Sequence, residues 1–223
     1  MPEAEGASKT GRGFNRIAPI YDASVRLVFG SSIDRLQTDA IDSLTTSHHA
    51  LIVGGGTGKI LRACMDRALA RHYTYAELSP AMIARTKRRL SSAEHDLVTF
   101  TDNGFKEDAV AYDLIILPFV LDCLGYDQLQ QFLKELKAHL SPGGKILLID
   151  FNQEAGTPYV KSFWKEWFIR LLYQFFRRFT YIKAHQLAPF QALMTKEGFV
   201  REQEMYRYKG WIQAVTWSIA PRA

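Results

Sequence analysis

The sequence predicts an α/β fold built on a doubly wound, mostly parallel sheet, and two observations carry that prediction. Strand-length runs at 51–53, 73–77, 98–100, 112–117 and 145–150 alternate with stretches whose apolar residues recur at helical spacing. That order lays parallel strands beneath crossover helices. The first run also ends abruptly in Gly54-Gly55-Gly56-Thr57-Gly58. Such a run reads as a buried strand turning tightly into a helix, with no side chain to keep a ligand off the backbone.

Taken in order, residues 1–13 mix Gly, Ser, Lys, Glu and Pro without periodicity and read as a mobile tail. Residues 14–223 read as one domain. Within it, 14–46 form an N-terminal helical cap, in which Ile33, Leu36, Ala40, Ile41 and Leu44 predict a helix over 32–45. After the glycine loop, Ile60, Leu61, Cys64, Ala68 and Leu69 continue a helical stripe to about Arg71, with Cys64 as a core residue. Ser79-Pro80 supplies an N-cap followed by proline at the first helical position. The third strand runs into a polar turn, Thr101-Asp102-Asn103-Gly104-Phe105. The fourth, 112–117, is apolar almost throughout, as a central parallel strand covered on both faces should be.

Asp127 is expected to cap the next helix, whose buried face is Leu129, Phe132, Leu133, Leu136 and Leu140. Ser141-Pro142-Gly143-Gly144 is expected to stop it ahead of the fifth strand. A further helix is predicted at 189–196 with Gly198 as its stop, then two strands, 199–208 and 211–219, joined at Lys209-Gly210. Residues 157–182 carry a wide aromatic stripe through Phe163, Trp164, Trp167, Phe168, Phe175, Phe176 and Phe179. We read 156–188 as an aromatic helical insertion that serves as a lid and walls an apolar substrate pocket. Packing onto the core or onto a second subunit is the plainer alternative, and a homodimer stays open.

Composition removes several function classes. With 47% hydrophobic and 23% charged residues, the 223-residue chain is an ordinary globular one. Its net charge of +5 is spread along the sequence apart from residues 85–89, a run that reads as a solvated helix end, so no nucleic-acid partner is expected. Cys64 and Cys123 have neither metal-ligand nor disulfide-framework spacing, so no metal is expected and a reducing, cytoplasmic setting is. No apolar stretch reaches 18 residues, and charges interrupt 157–182, so no membrane span is expected. Peripheral contact with a membrane interface is left open.

Three glycine-loop chemistries compete for residues 54–58. A phosphate loop ending on Gly58-Lys59 would need glycine at Val53 and a hydroxyl at Ile60. A dinucleotide fingerprint starting at Gly54 would need its third glycine at Lys59, which argues against a nicotinamide oxidoreductase. The pattern that fits is G-x-G-x-G through Gly54, Gly56 and Gly58, and there the sequence resembles the class I S-adenosylmethionine-dependent methyltransferases. Two further stretches add to the resemblance: Ser141-Pro142-Gly143-Gly144 between helix and strand, and 14–22, which looks like the N-terminal signature of the ubiquinone/menaquinone-biosynthesis C-methyltransferase branch.

The resemblance implies a seven-stranded Rossmann-like sheet whose last hairpin adds an antiparallel strand. It also implies S-adenosylmethionine as cofactor, leaving as S-adenosylhomocysteine. Gly54, Gly55, Gly56, Thr57 and Gly58 would carry its backbone contacts. Glu77, at the carboxyl end of the second strand with Leu78 beside it, stands where a doubly wound sheet opens its ligand crevice and an acid accepts from ribose hydroxyls. The resemblance places Asp102 and Asn103 at the adenine and Pro118 at the methionine end. Tyr21 is the aromatic whose face near a sulfonium gains cation–π attraction. The bland alternatives are a surface acid at Glu77 and a polar turn at Asp102.

No general base is visible. Asp122 and His185 are the candidates; histidines that relatives often carry near Asp122-Cys123 are absent. Ile52 stands where relatives commonly have an acid. The function expected is methyl transfer to a small, fairly apolar acceptor, quinone-like or lipid-like. The alternative is a non-catalytic binder of S-adenosylmethionine or S-adenosylhomocysteine that uses the aromatic helix for a partner.

Overall fold

The computed structural model describes residue 29 and residues 31–105, 111–152 and 189–220. Among these, seven strands form one sheet: β1 (Ser47–Val53), β2 (Ala70–Ala76), β3 (Val98–Thr101), β4 (Tyr112–Pro118), β5 (Leu140–Phe151), β6 (Phe199–Arg207) and β7 (Ile212–Ile219). Their order is β3-β2-β1-β4-β5-β7-β6. The pairs β2/β3, β1/β2, β1/β4 and β4/β5 are parallel, while β5/β7 and β6/β7 are antiparallel. The expected α/β sheet with an antiparallel C-terminal hairpin is therefore present.

Two helical layers sandwich it. Helices α1 (Ser32–Asp42) and α2 (Lys59–Met65) bury Ile33, Leu36, Ile41, Ile60, Leu61 and Cys64 against Ile52, Tyr75, Ile116 and Ile149. On the other face α5 (Tyr126–His139) and α6 (Phe190–Lys196) bury Leu129, Leu133, Leu136, Phe190 and Met194 against Leu51, Ile115, Leu117, Leu148 and Trp217. Neighbouring residues of β4 thus serve opposite cores, which is why that strand reads as an unbroken apolar run. Two shorter helices, α3 (Pro80–Lys87) and α4 (Ser92–His95), lie between β2 and β3 in the chain.

Several boundaries differ from the sequence expectation: α1 ends at Asp42 short of residue 45, and β1 begins at Ser47 ahead of residue 51. The stripe from Ile60 does not stay helical to Arg71: α2 ends at Met65 and β2 begins at Ala70. Ala68 adopts φ +47, Leu69 N–H donates to Cys64 O at 3.0 Å and Ala68 N–H to Met65 O at 2.9 Å, a left-handed stop made by an alanine instead of a glycine. Asp127 is not the cap of α5; Gly125 takes that place, its N–H donating to Gln128 Oε1 at 3.3 Å, and Asp127 sits in the first turn.

Leu140 belongs to β5 rather than to α5, and Ser141-Pro142-Gly143-Gly144 lies inside the strand's irregular start. Pro142 lacks an N–H and Gly143 has φ +77, so the register against β4 shifts between Tyr112 and Leu114. The hairpin turn spans Tyr208 to Trp211, one residue wider at each side than expected, with Tyr208, Lys209 and Gly210 all at positive φ.

Candidate cofactor site at the strand tips

Strand β1 is flanked by β2 on one side and β4 on the other, so the chain winds outward from it in both directions. A crevice opens where the winding reverses, beyond the carboxyl ends of the strands. Register sets the tips level: Val53 pairs with Ala76, and Ala76 with Thr101. The loop after β1, Glu77 after β2 and Asp102 after β3 therefore stand side by side.

The glycine loop is held by contacts that only glycine permits. Gly54, Gly56 and Gly58 have φ of +67, +61 and +85. A Cβ on Gly54 would come 2.7 Å from Val120 Cγ2, and one on Gly55 would come 2.5 Å from the Tyr75 ring. Gly54 N–H donates to Ala76 O at 2.8 Å, fastening the loop to the end of β2. Thr57 is buried, and Arg89 Nε donates to its carbonyl at 2.7 Å.

Glu77 is not the surface acid of the bland alternative, for it is 8% exposed. Its carboxylate accepts from Gly56 N–H through Oε2 at 3.0 Å and from Ser79 N–H through Oε1 at 3.0 Å. Burial pushes its carboxyl up to about 6, against the opposing pull of the Ser79, Gly56 and Leu78 N–H groups. Ser79 caps α3 as expected, its side chain accepting from Met82 N–H at 3.2 Å.

Leu78 is 36% exposed beside that carboxylate, an apolar surface at the tip of β2. The turn after β3 is tied by Thr101, whose hydroxyl donates to Gly104 O at 2.9 Å and accepts from Asn103 N–H at 3.4 Å. Asp102 and Asn103 are both exposed on it. Pro118, the last residue of β4, is buried, and the following Phe119 has φ +55 with its N–H donating to Ile149 O at 2.7 Å. Asp122 lies in a 3-10 turn, Leu121–Cys123, and its side chain is outside the described residues, as are Tyr21, His185 and the whole of 156–188. Ile52 is fully buried in the α1/α2 core, so it offers the crevice nothing in place of an acid.

Sequence reasoning missed Tyr75, Thr86, Arg89 and Val120, which shape the loop from beneath. No group of three or more His, Cys, Asp or Glu side chains that could hold a metal ion occurs among the described residues. No helix among them is long and apolar enough to cross a membrane.

This sheet order, with a glycine loop and a buried acid on adjacent tips, defines a doubly wound nucleoside-binding domain. Residues 51–146 match the family model described as a methyltransferase domain. The matched stretch holds the glycine loop, Glu77 and Asp102, and it supports a class I S-adenosylmethionine-dependent methyltransferase. It is 28% identical over 166 residues to the ubiquinone/menaquinone biosynthesis C-methyltransferase UbiE of Cereibacter sphaeroides, covering 69% of this chain and 63% of that one. It thus spans about three fifths of that relative's length. Aclacinomycin 10-hydroxylase RdmB of Streptomyces purpurascens is 36% identical over 105 residues, 46% of this chain and 28% of that one. The N-methyltransferase NodS from Bradyrhizobium japonicum, solved with S-adenosyl-L-homocysteine, shares the fold at TM-score 0.67 and 13% identity, covering 96% of this chain and 100% of that one.

Proposed function

We propose that the protein binds S-adenosylmethionine across the tips of β1, β2 and β3 and passes its methyl group to a small, fairly apolar acceptor, quinone-like or lipid-like. One observation carries the reading: a buried carboxylate, Glu77, fastened to the N–H of Gly56 at 3.0 Å, so that acid and glycine loop form one rigid unit. The residues present fit the cofactor. A carboxylate offers about four lone-pair directions, and the N–H groups of Gly56, Ser79 and Leu78 leave room for a ribose hydroxyl. Leu78 supplies an exposed apolar surface, Asp102 and Asn103 exposed polar groups for the adenine edge, and Pro118 a wall toward the methionine end.

When bound, the cofactor supplies a methyl carbon on a positively charged sulfur, open to in-line displacement. The chain's part is to hold acceptor and cofactor in register, and positioning alone accounts for much of the acceleration such reactions need. A base helps where the acceptor is a hydroxyl or an acidic carbon, and Asp122 and His185 are proposed for it. Tyr21 is proposed to face the sulfonium, and 156–188 to wall the acceptor pocket. A reducing, cytoplasmic setting goes with this reading, since Cys64 and Cys123 form no disulfide.

Because one relative is named as a hydroxylase, label transfer decides the matter where binding alone would not. The chain is incubated with methyl-labelled cofactor and a panel of apolar phenols and quinols, and label is expected in at least one organic product. Calorimetric binding of S-adenosylhomocysteine with no label passed to any acceptor would leave a non-catalytic binder. Absence of both binding and transfer would remove the reading.

A further inference from the structure

Beneath the glycine loop, two hydroxyls from separate elements meet one carbonyl oxygen. Tyr75 Oη, on β2, donates to Gly56 O at 2.9 Å. Thr86 Oγ1, on α3, lies 3.2 Å from the same oxygen, 3.3 Å from Tyr75 Oη and 3.0 Å from Met82 O. Both side chains are wholly buried. The same residues fill the space under the flanking glycines: a Cβ on Gly55 would come 2.5 Å from Tyr75 Oη, and one on Gly58 would come 2.6 Å from Thr86 Cγ2. Gly56 itself is held on its other side, its N–H donating to the Glu77 carboxylate at 3.0 Å.

We infer that Tyr75 and Thr86 are positioning residues for the cofactor: by gripping the Gly56 carbonyl from below, they fix the left-handed conformation of that residue and so the direction of its N–H, which holds the Glu77 carboxylate. The inference rests on the proposed S-adenosylmethionine reading. Glycine populates more backbone conformations than any other residue, so a loop with four of them would surrender much entropy on binding unless already ordered. Ring and hydroxyl of Tyr75 both pack under Gly55, and methyl and hydroxyl of Thr86 under Gly58, so packing and hydrogen bonding act on the same loop. The Tyr75 hydroxyl donates to the carbonyl, and the Thr86 hydroxyl divides its one proton between that oxygen at 3.2 Å and Met82 O at 3.0 Å. Because the peptide is planar and trans, a Gly56 carbonyl drawn down onto those hydroxyls turns the next N–H, that of Thr57, the opposite way.

The test removes the hydroxyls and keeps the shapes. S-adenosylhomocysteine is titrated calorimetrically into the full chain and into Tyr75→Phe, Thr86→Val, the double variant and Thr86→Ser, and the ligand-free melting temperature of each is recorded. Tyr75→Phe and Thr86→Val are each expected to raise Kd about 5- to 10-fold, the share of one neutral hydrogen bond. The double variant should exceed the product of the two, since either hydroxyl partly covers for the other on a shared oxygen. Thr86→Ser, which keeps the hydroxyl, should bind within about twofold of the unsubstituted chain. Melting temperatures should fall by no more than about 4 °C for one buried hydrogen bond in a chain of this size.

Unchanged Kd in both isosteric variants while the unsubstituted chain binds would overturn the positioning role alone. So would Thr86→Ser binding as weakly as Thr86→Val. No binding by the unsubstituted chain would overturn the cofactor reading, and this inference with it.

Discussion

A single carboxyl group sets how this protein should respond to pH. Glu77 is raised from an ordinary 4.5 to about 6 by burial, so the folded chain holds that proton more tightly than the unfolded chain does. Its stabilising contribution is therefore fully present below pH 4.5 and is lost as pH rises through about 6, a change of about 2 kcal/mol. Urea unfolding of the ligand-free protein across that window should show the fall, and Glu77→Gln should abolish it. Equal slopes in the two proteins would mean that Glu77 does not titrate there. Ligand binding should run the other way if Glu77 holds the ribose as proposed, since hydroxyls donate to the ionised form: affinity for S-adenosylhomocysteine should weaken as pH drops below about 6. At neutral pH, Glu77→Ala should cost about 1 to 3 kcal/mol of that affinity, measured by calorimetry, through the lost charged acceptor. Glu77 was legible in the sequence because a strand end and the loop spacing mark it. Tyr75 and Thr86 were not, because their contacts to Gly56 cross 19 and 30 residues of chain and nothing local announces them.

At the scale of elements, periodicity located the helices and strands, but the ends went to whichever backbone device stopped them. The stripe Ile60, Leu61, Cys64, Ala68, Leu69 suggested a helix running on to Arg71, yet the chain leaves α2 at Met65 through a left-handed Ala68. Leu69 then joins the same core by way of the turn. The glycine that would mark such a stop in sequence is missing, which is why it was not seen. An alanine in that conformation carries strain of roughly 1 to 2 kcal/mol, offset in part by the greater freedom glycine has in the unfolded chain. Ala68 is exposed and a hydrogen there meets no core. Ala68→Gly should therefore stabilise the protein by about 0.5 to 1 kcal/mol, seen as a higher urea midpoint at unchanged slope. A lower midpoint would contradict the strain. The start of α3 was readable for the opposite reason: Ser79-Pro80 carries its own signal, and Ser79 makes the bond to Met82 that the signal implies.

The whole molecule was legible as a doubly wound sheet because right-handed crossovers leave few ways to order parallel strands joined by helices. The far edge was not. A hairpin of β6 and β7 could set either strand beside β5, and only the register Lys145↔Ser218 through Phe151↔Ile212 places β7 inside and β6 at the rim. What the order accomplishes is to put β1 between β2 and β4, so that the loop it feeds is anchored to the centre of the sheet. A ligand gripped there contacts parts of the chain that come together only when the sheet is complete, so it should stabilise the fold as a unit. For a ligand that binds the native state alone, the gain at 100 times Kd is about 2.7 kcal/mol. In a protein of this size that amounts to a rise of roughly 5 to 10 °C in melting temperature. S-adenosylhomocysteine should produce it in a thermal melt, and NAD at equal concentration should not, since Lys59 stands where a pyrophosphate-binding loop needs its third glycine. An equal or larger shift with NAD would return the loop to the dinucleotide class, and with it the buried acid on β2.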